Sequence, residues 1–184
     1  MALILDNCIN MNVLGIVGSL RKQSFNRSLM TAFVNQKPEG VTMEIADIST
    51  LPFFNEDDEV SFPQSAQNLK AQVENADVII IATPEYNRSV PGVLKNAIDW
   101  LSRPYGKNSF SGKKVFVVGA SVGPIGASMA QYDLKKMLLH GNATVLGQPE
   151  FFVGVAGNKF NESGELTDEA TQDHITSAWG VLTQ

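Results

Sequence analysis

Residues 76–104 read ADVIIIATPEYNRSVPGVLKNAIDWLSRP. They pass from an unbroken Val/Ile run, through a polar turn, into apolar residues at helical spacing. A run without polar alternation is what a strand covered on both faces requires, so it predicts a parallel sheet with helices above and below. In the helix that follows, Ser89 is placed to cap the start, and Pro91 falls in the first turn, where its missing N–H costs nothing. Val90, Leu94, Ile98 and Leu101 make the apolar stripe, Pro104 closes the segment, and Trp100 reads as core.

The strand-then-helix order repeats in both directions. Apolar runs recur at NVLGIV (12–17), VTMEIADI (41–48), KKVFVVGA (113–120) and, more weakly, ATVLGQPEFFVG (143–154). Helical spacing appears at 24–36, 64–75, 90–102, 124–140 and 168–182, with breakers at Pro38-Glu39-Gly40 and Pro104-Tyr105-Gly106. Such alternation predicts an α/β fold built on a doubly wound sheet. Residues 12–184 read as a single domain. The opening MALILDNCINMN has no cationic n-region and is interrupted by Asp6, so residues 1–11 read as an N-terminal extension and not a signal peptide.

Composition narrows the function. The chain has 184 residues, 43% of them hydrophobic, enough for one well-packed domain and short for two. A net charge of −5 argues against a nucleic-acid partner. No stretch approaches the ~20 apolar residues that a membrane helix needs. Two histidines and one cysteine cannot make the usual zinc site, so no metal is expected. The lone Cys8 excludes an intramolecular disulfide, which favours a reducing cytoplasm.

In a doubly wound sheet, ligands sit beyond the carboxyl ends of the strands. The first strand runs into GSLRKQSFN (18–26). This is neither G-x-G-x-x-G nor a Walker loop. Ser19, Ser24 and Asn26 are short polar donors, Arg21 and Lys22 are cations, and Gly18 permits a close turn; together they suit a terminal monophosphate at a helix start. The plainer alternative makes Ser24 an N-cap and leaves the cations solvated. The strand at 76–83 ends in Pro84-Glu85-Tyr86-Asn87, where backbone amides and Asn87 offer partners for the pyrimidine edge of a flavin and Tyr86 an aromatic face. The strand at 113–120 ends in Gly119-Ala120-Ser121-Val122-Gly123, formally a G-x-S-x-G nucleophile elbow with His174 downstream. A serine esterase using Ser121 is therefore a remote alternative. It would leave the other two strand ends unexplained, and His140 and His174 both read as exposed helical histidines.

GSLRKQSFN and TPEYNRSVPGVLKNAIDWLSRP together resemble the signatures of the NAD(P)H-dependent FMN reductases, the flavodoxin-like group that includes bacterial chromate and quinone reductases and azoreductase-like proteins. The likeness runs from about residue 12 to 155. It implies a flavodoxin-like five-stranded parallel sheet in the order 2-1-3-4-5, with helices on both faces, and bound FMN. Ser19, Leu20, Arg21, Lys22, Gln23, Ser24, Phe25 and Asn26 would form the cofactor-binding loop, with Ser19, Arg21, Ser24 and Asn26 around the phosphate. Pro84, Glu85, Tyr86 and Asn87 would line the isoalloxazine, and Ser121 and Gly123 would approach it. Two positions depart from the family pattern. Met129 stands where relatives often have arginine, which bears on assembly, and Ala127 replaces the second glycine of a frequent Gly-Gly pair.

The implied activity passes hydride from NADPH or NADH through FMN to an acceptor, with ping-pong kinetics. Quinones are the first expected acceptor, with free flavin, ferric complexes, chromate and azo dyes as others. FMN carries the chemistry, so no catalytic side chain is named. Tyr86 is expected to shape the acceptor pocket and Arg88 to attract anionic acceptors. A homodimer or homotetramer is expected. The alternative in another class is a flavodoxin-like electron carrier or redox sensor without fast NAD(P)H turnover.

Overall fold

The structure, a computed structural model, describes residues 10–184. Cys8 and all of the N-terminal extension except Asn10 and Met11 lie outside the described residues. The strands are β1 (Met11–Val17), β2 (Val41–Ala46), β3 (Val78–Ala82), β4 (Lys114–Ala120), β5 (Thr144–Val145) and β6 (Phe151–Val153). The helices are α1 (Phe25–Asn35), α2 (Gln64–Asn75), α3 (Gly92–Leu101), α4 (Ser128–His140) and α5 (Glu169–Leu182). The sheet runs β2-β1-β3-β4-β5, parallel throughout, as the resemblance implied.

The weak apolar stretch at 143–154 is two strands instead of one. β5 pairs with β4 at Lys114 and Val115, β6 pairs with it at Val118–Ala120, and the register slips by three residues between them. Gly147, Gln148 and Pro149 lie in the interruption, where strand pairing is disfavoured.

All five residues of β3 are buried, the fate its sequence predicts, whereas β2 at the sheet edge is buried only at Val41 and Ala46. Two cores result. On one face Leu29, Met30 and Phe33 of α1 meet Ile175 and Trp179 of α5. On the other, Leu69, Leu94, Ile98, Leu134 and Leu138 bring α2, α3 and α4 onto the sheet. Phe33 is fully buried, 5.3 Å from the Phe151 ring and 6.0 Å from Trp179; deleting such a ring costs about 3–5 kcal/mol. Trp100 is core as expected, its Nε1–H donating to Pro52 O at 2.9 Å.

Two helix starts differ from expectation. α3 begins at Gly92, with Pro91 in the capping position and no side-chain cap, so Ser89 is not its N-cap. Residues 124–127 form a turn before α4. With β1 between β2 and β3, the chain departs in opposite directions from the ends of β1 and β3, opening a crevice at this switch point. Gly18 lies there because a Cβ would stand 2.8 Å from Leu94 Cδ2. Its absence lets α3 pack against the strand end.

Candidate active site

The loop after β1 is rich in unused donors. Ser24 caps α1, its Oγ accepting from Arg27 N–H at 3.4 Å, and Ser19 Oγ accepts from Arg21 N–H at 3.4 Å. Both serines are buried. Their hydroxyl protons, and the backbone N–H groups of Ser19, Leu20, Lys22, Gln23, Ser24, Phe25 and Asn26, donate to no acceptor among the described residues. Arg21 donates to Gln23 O and lies 5.3 Å from the Phe25 ring centroid; Lys22 is exposed. Neither cation has a carboxylate partner among the described ion pairs. The N-terminus of α1 adds its dipole to this donor set.

Asn26 has a different task. Its Nδ2 donates to Ala120 O and its Oδ1 accepts from Ala120 N–H, both at 2.9 Å. This reciprocal pair ties the start of α1 to the end of β4, so the carboxamide holds the strand ends together, with one Nδ2 hydrogen left unbonded among the described residues.

After β3, residues 86–89 fold into a tight hairpin. Tyr86 and Ser89 exchange backbone hydrogen bonds at 3.1 Å, with Asn87 and Arg88 at φ +52° and +65°. Two positive-φ residues between a bonded pair define a type I′ turn. Asn tolerates that conformation and Arg does so less readily. Tyr86 is half exposed and Pro84 is buried. Arg88 approaches Glu85 at 3.6 Å, so its charge is partly balanced.

After β4, Ser121 N–H donates to Val153 O, Ala156 N–H to Ser121 O and Val155 N–H to Gly123 O, each at 3.0 Å. These bonds lace the 121–123 loop to the segment after β6. Ser121 Oγ donates to Gly123 O at 3.0 Å. It bonds no histidine, and Ser121 has no positive φ, so the strained elbow of an esterase is missing. His140 lies exposed at the far end of α4. His174 is only partly exposed, stacked 4.2 Å from Phe151, and this burial holds its imidazole below the usual range. Its expected exposure is corrected accordingly: α5 packs that face against the sheet.

The carboxyl ends of β1, β3 and β4 thus lie side by side, and the first of their loops carries a set of donors unbonded among the described residues. A sequence model of the NADPH-dependent FMN reductases matches residues 11–158. The chain belongs to this family. Among FMN reductase relatives, an NAD(P)H-dependent FMN reductase of Pseudomonas aeruginosa is 41% identical over 90% of both chains. A 2-hydroxy-1,4-benzoquinone reductase from Burkholderia is 38% identical over 87% of both. Among solved structures, the flavoenzyme NAD(P)H:(acceptor) oxidoreductase FerB of Paracoccus denitrificans superposes with a TM-score of 0.87 at 38% identity, over 94% of this chain and 95% of its own.

Three contributors to the site escaped sequence reasoning: Asn26 as a tie to β4, Ser89 as a donor to Asp133 Oδ2 at 2.8 Å, and Val155, a β-branched residue at φ +52°. Local spacing carried no signal for the first two, because Asn26 and Ser89 reach partners 94 and 44 positions away.

Proposed function

We propose that this protein is an NAD(P)H-dependent FMN reductase whose physiological acceptor is a quinone. The observation that carries the reading is the set of unspent N–H and hydroxyl donors in residues 19–26, gathered at the β1/β3 switch point. That set fits a terminal phosphate. Ser19, Ser24 and the loop amides bind it, while Arg21 and Lys22 balance its charge. Asn26 acts on the loop's position. The N–H groups of Glu85, Asn87 and Arg88, together with those of Val122 and Gly123, are unbonded among the described residues and suit the carbonyl edge of an isoalloxazine. When bound, FMN supplies the acceptance of two electrons from nicotinamide and their return to the acceptor.

Quinones are favoured over chromate by the site's rim. Arg88 is engaged with Glu85, and the exposed side chains of Leu20, Tyr86, Val122 and Val155 are apolar or aromatic. A neutral planar acceptor matches such walls. Ile125, Met129 and Tyr132 are exposed beside them and support a homo-oligomer. Among the described residues no helix is long and apolar enough to cross a membrane; cytoplasmic residence is part of this proposal.

The test is an FMN titration of the apoprotein followed by anaerobic NADPH and then a benzoquinone. Bleaching of the flavin bands by NADPH and their recovery with the quinone, with parallel double-reciprocal plots in steady state, is the expected result. Failure to bind FMN overturns the proposal, and binding without fast NADPH oxidation moves the protein to the electron carriers.

A further inference from the structure

α4 starts without a cap of its own. Ala127, at φ +62°, holds the capping position and bonds nothing through its side chain. The four N-terminal amides of the helix are nevertheless all accounted for. Ser128 N–H donates to Ile125 O at 3.2 Å and Gln131 N–H to Ala127 O at 3.0 Å. Met129 and Ala130 N–H both donate to Glu85 Oε2, at 3.0 and 3.2 Å. The cap therefore comes from the loop after β3. Four residues further along, Ser89 Oγ donates to Asp133 Oδ2 at 2.8 Å, pinning the other end of the same hairpin to the next turn of α4.

We propose that Glu85 is a positioning residue that holds the 84–89 hairpin against the N-terminus of α4, so fixing the two loops that flank the isoalloxazine in one frame. This rests on the FMN reading above. The Glu85 side chain is only 11% exposed. It works as a carboxylate clamp: one oxygen faces two helix amides and the positive end of the helix dipole, and the other lies toward Arg88. Its carboxylate, as distinct from its backbone N–H, is not a direct ligand of the flavin. An acidic group at a flavin site would oppose the negative charge of the reduced ring. Here the helix terminus compensates that charge.

The experiment compares FMN affinity, by fluorescence quenching, with the apoprotein's urea stability and the exchange rates of the Met129 and Ala130 amides. Glu85→Ala should raise the FMN Kd about tenfold and speed exchange at both amides. Glu85→Gln keeps an acceptor oxygen for the amides and should recover most of the affinity. Asp168→Ala, which removes the cap of α5, is the control for a lost cap elsewhere; it should lower stability and leave the Kd unchanged. If Glu85→Ala lowers stability as the control does but binds FMN like the wild type, the clamp has no bearing on the site and this inference fails alone. If the wild type itself does not bind FMN, both this inference and the proposed function fail.

Discussion

In the loop after β1, the free donors come from one continuous stretch, residues 19–26, and none of these residues has a positive φ. In the loops after β3, β4 and β6, the corresponding walls come from separate segments. They are joined by bonds between residues 44 and 45 positions apart in the chain, from Ser89 to Asp133 and from Met129 and Ala130 to Glu85. That region also holds Asn87, Arg88, Gly126, Ala127 and Val155 at positive φ. The contrast follows from what each end would bind. A phosphate is small and rounded, so local amides suffice to surround it. A planar ring needs walls from several strands, and fixing those walls demands long-range ties and accepts backbone strain.

Asn26 is the point where the two regions meet, and removing it should produce the largest change. Asn26→Ala leaves the buried Ala120 N–H and C=O without partners and should lower apoprotein stability by about 3 kcal/mol in urea unfolding. A loss below about 1 kcal/mol would mean that the strand ends are held together by something else.

Next comes the phosphate end itself. The double substitution of Arg21→Ala with Lys22→Ala should weaken FMN binding about tenfold at low salt and flatten its salt dependence. Urea stability should move by no more than about 0.5 kcal/mol, because both side chains are exposed. If stability fell as far as in Asn26→Ala, the first loop would be a structural element like the others, and the contrast would break.

Strain offers a smaller test in the opposite direction. Val155 is half exposed, β-branched and at φ +52°. Val155→Gly should stabilise the protein by about 1 kcal/mol, since glycine adopts this conformation freely and the side chain contributes little burial. If the gain in stability comes with weaker FMN binding, the strain serves the site; if binding is unchanged, it is incidental to it.

These differences also explain what could be read from the sequence. The parallel strands and the five helices follow from Val/Ile density and helical spacing, which burial on both faces preserves, whereas the sheet order came from the family resemblance. The first loop was legible because its hydroxyls, cations and helix start are neighbours in sequence. Ser89 was misjudged because Ser-x-Pro is a reasonable helix start, whereas its hydroxyl is drawn to Asp133, a partner invisible to local spacing. Glu85 stood out as part of a polar cluster at a strand end, but its bonds to Met129 and Ala130 depend on how β3 and β4 lie side by side. The 143–154 stretch looked like one strand because its apolar residues continue across the interruption, and only the register against β4 reveals the break.

The smallest effect belongs to His174, which lies outside both regions and serves as their reference. Packed on Phe151, its imidazole titrates below the ordinary value because burial disfavours the charged form. The unfolded chain, with a histidine near about 6.5, then binds the proton more readily than the folded one. The stability contributed is complete above that pH and is lost as the pH falls through it toward the folded value. Urea midpoints measured from pH 7.5 down to 5 should therefore decline for the wild type and decline less for His174→Gln. FMN affinity at pH 7.5 should be the same for both, because His174 makes no bond to any of the three loops. A joint change in slope and affinity would show that the α1–α5 face of the sheet communicates with the strand ends through Phe151 and β6. The rigid tie now assigned to Asn26 and Glu85 would then extend one layer deeper into the core.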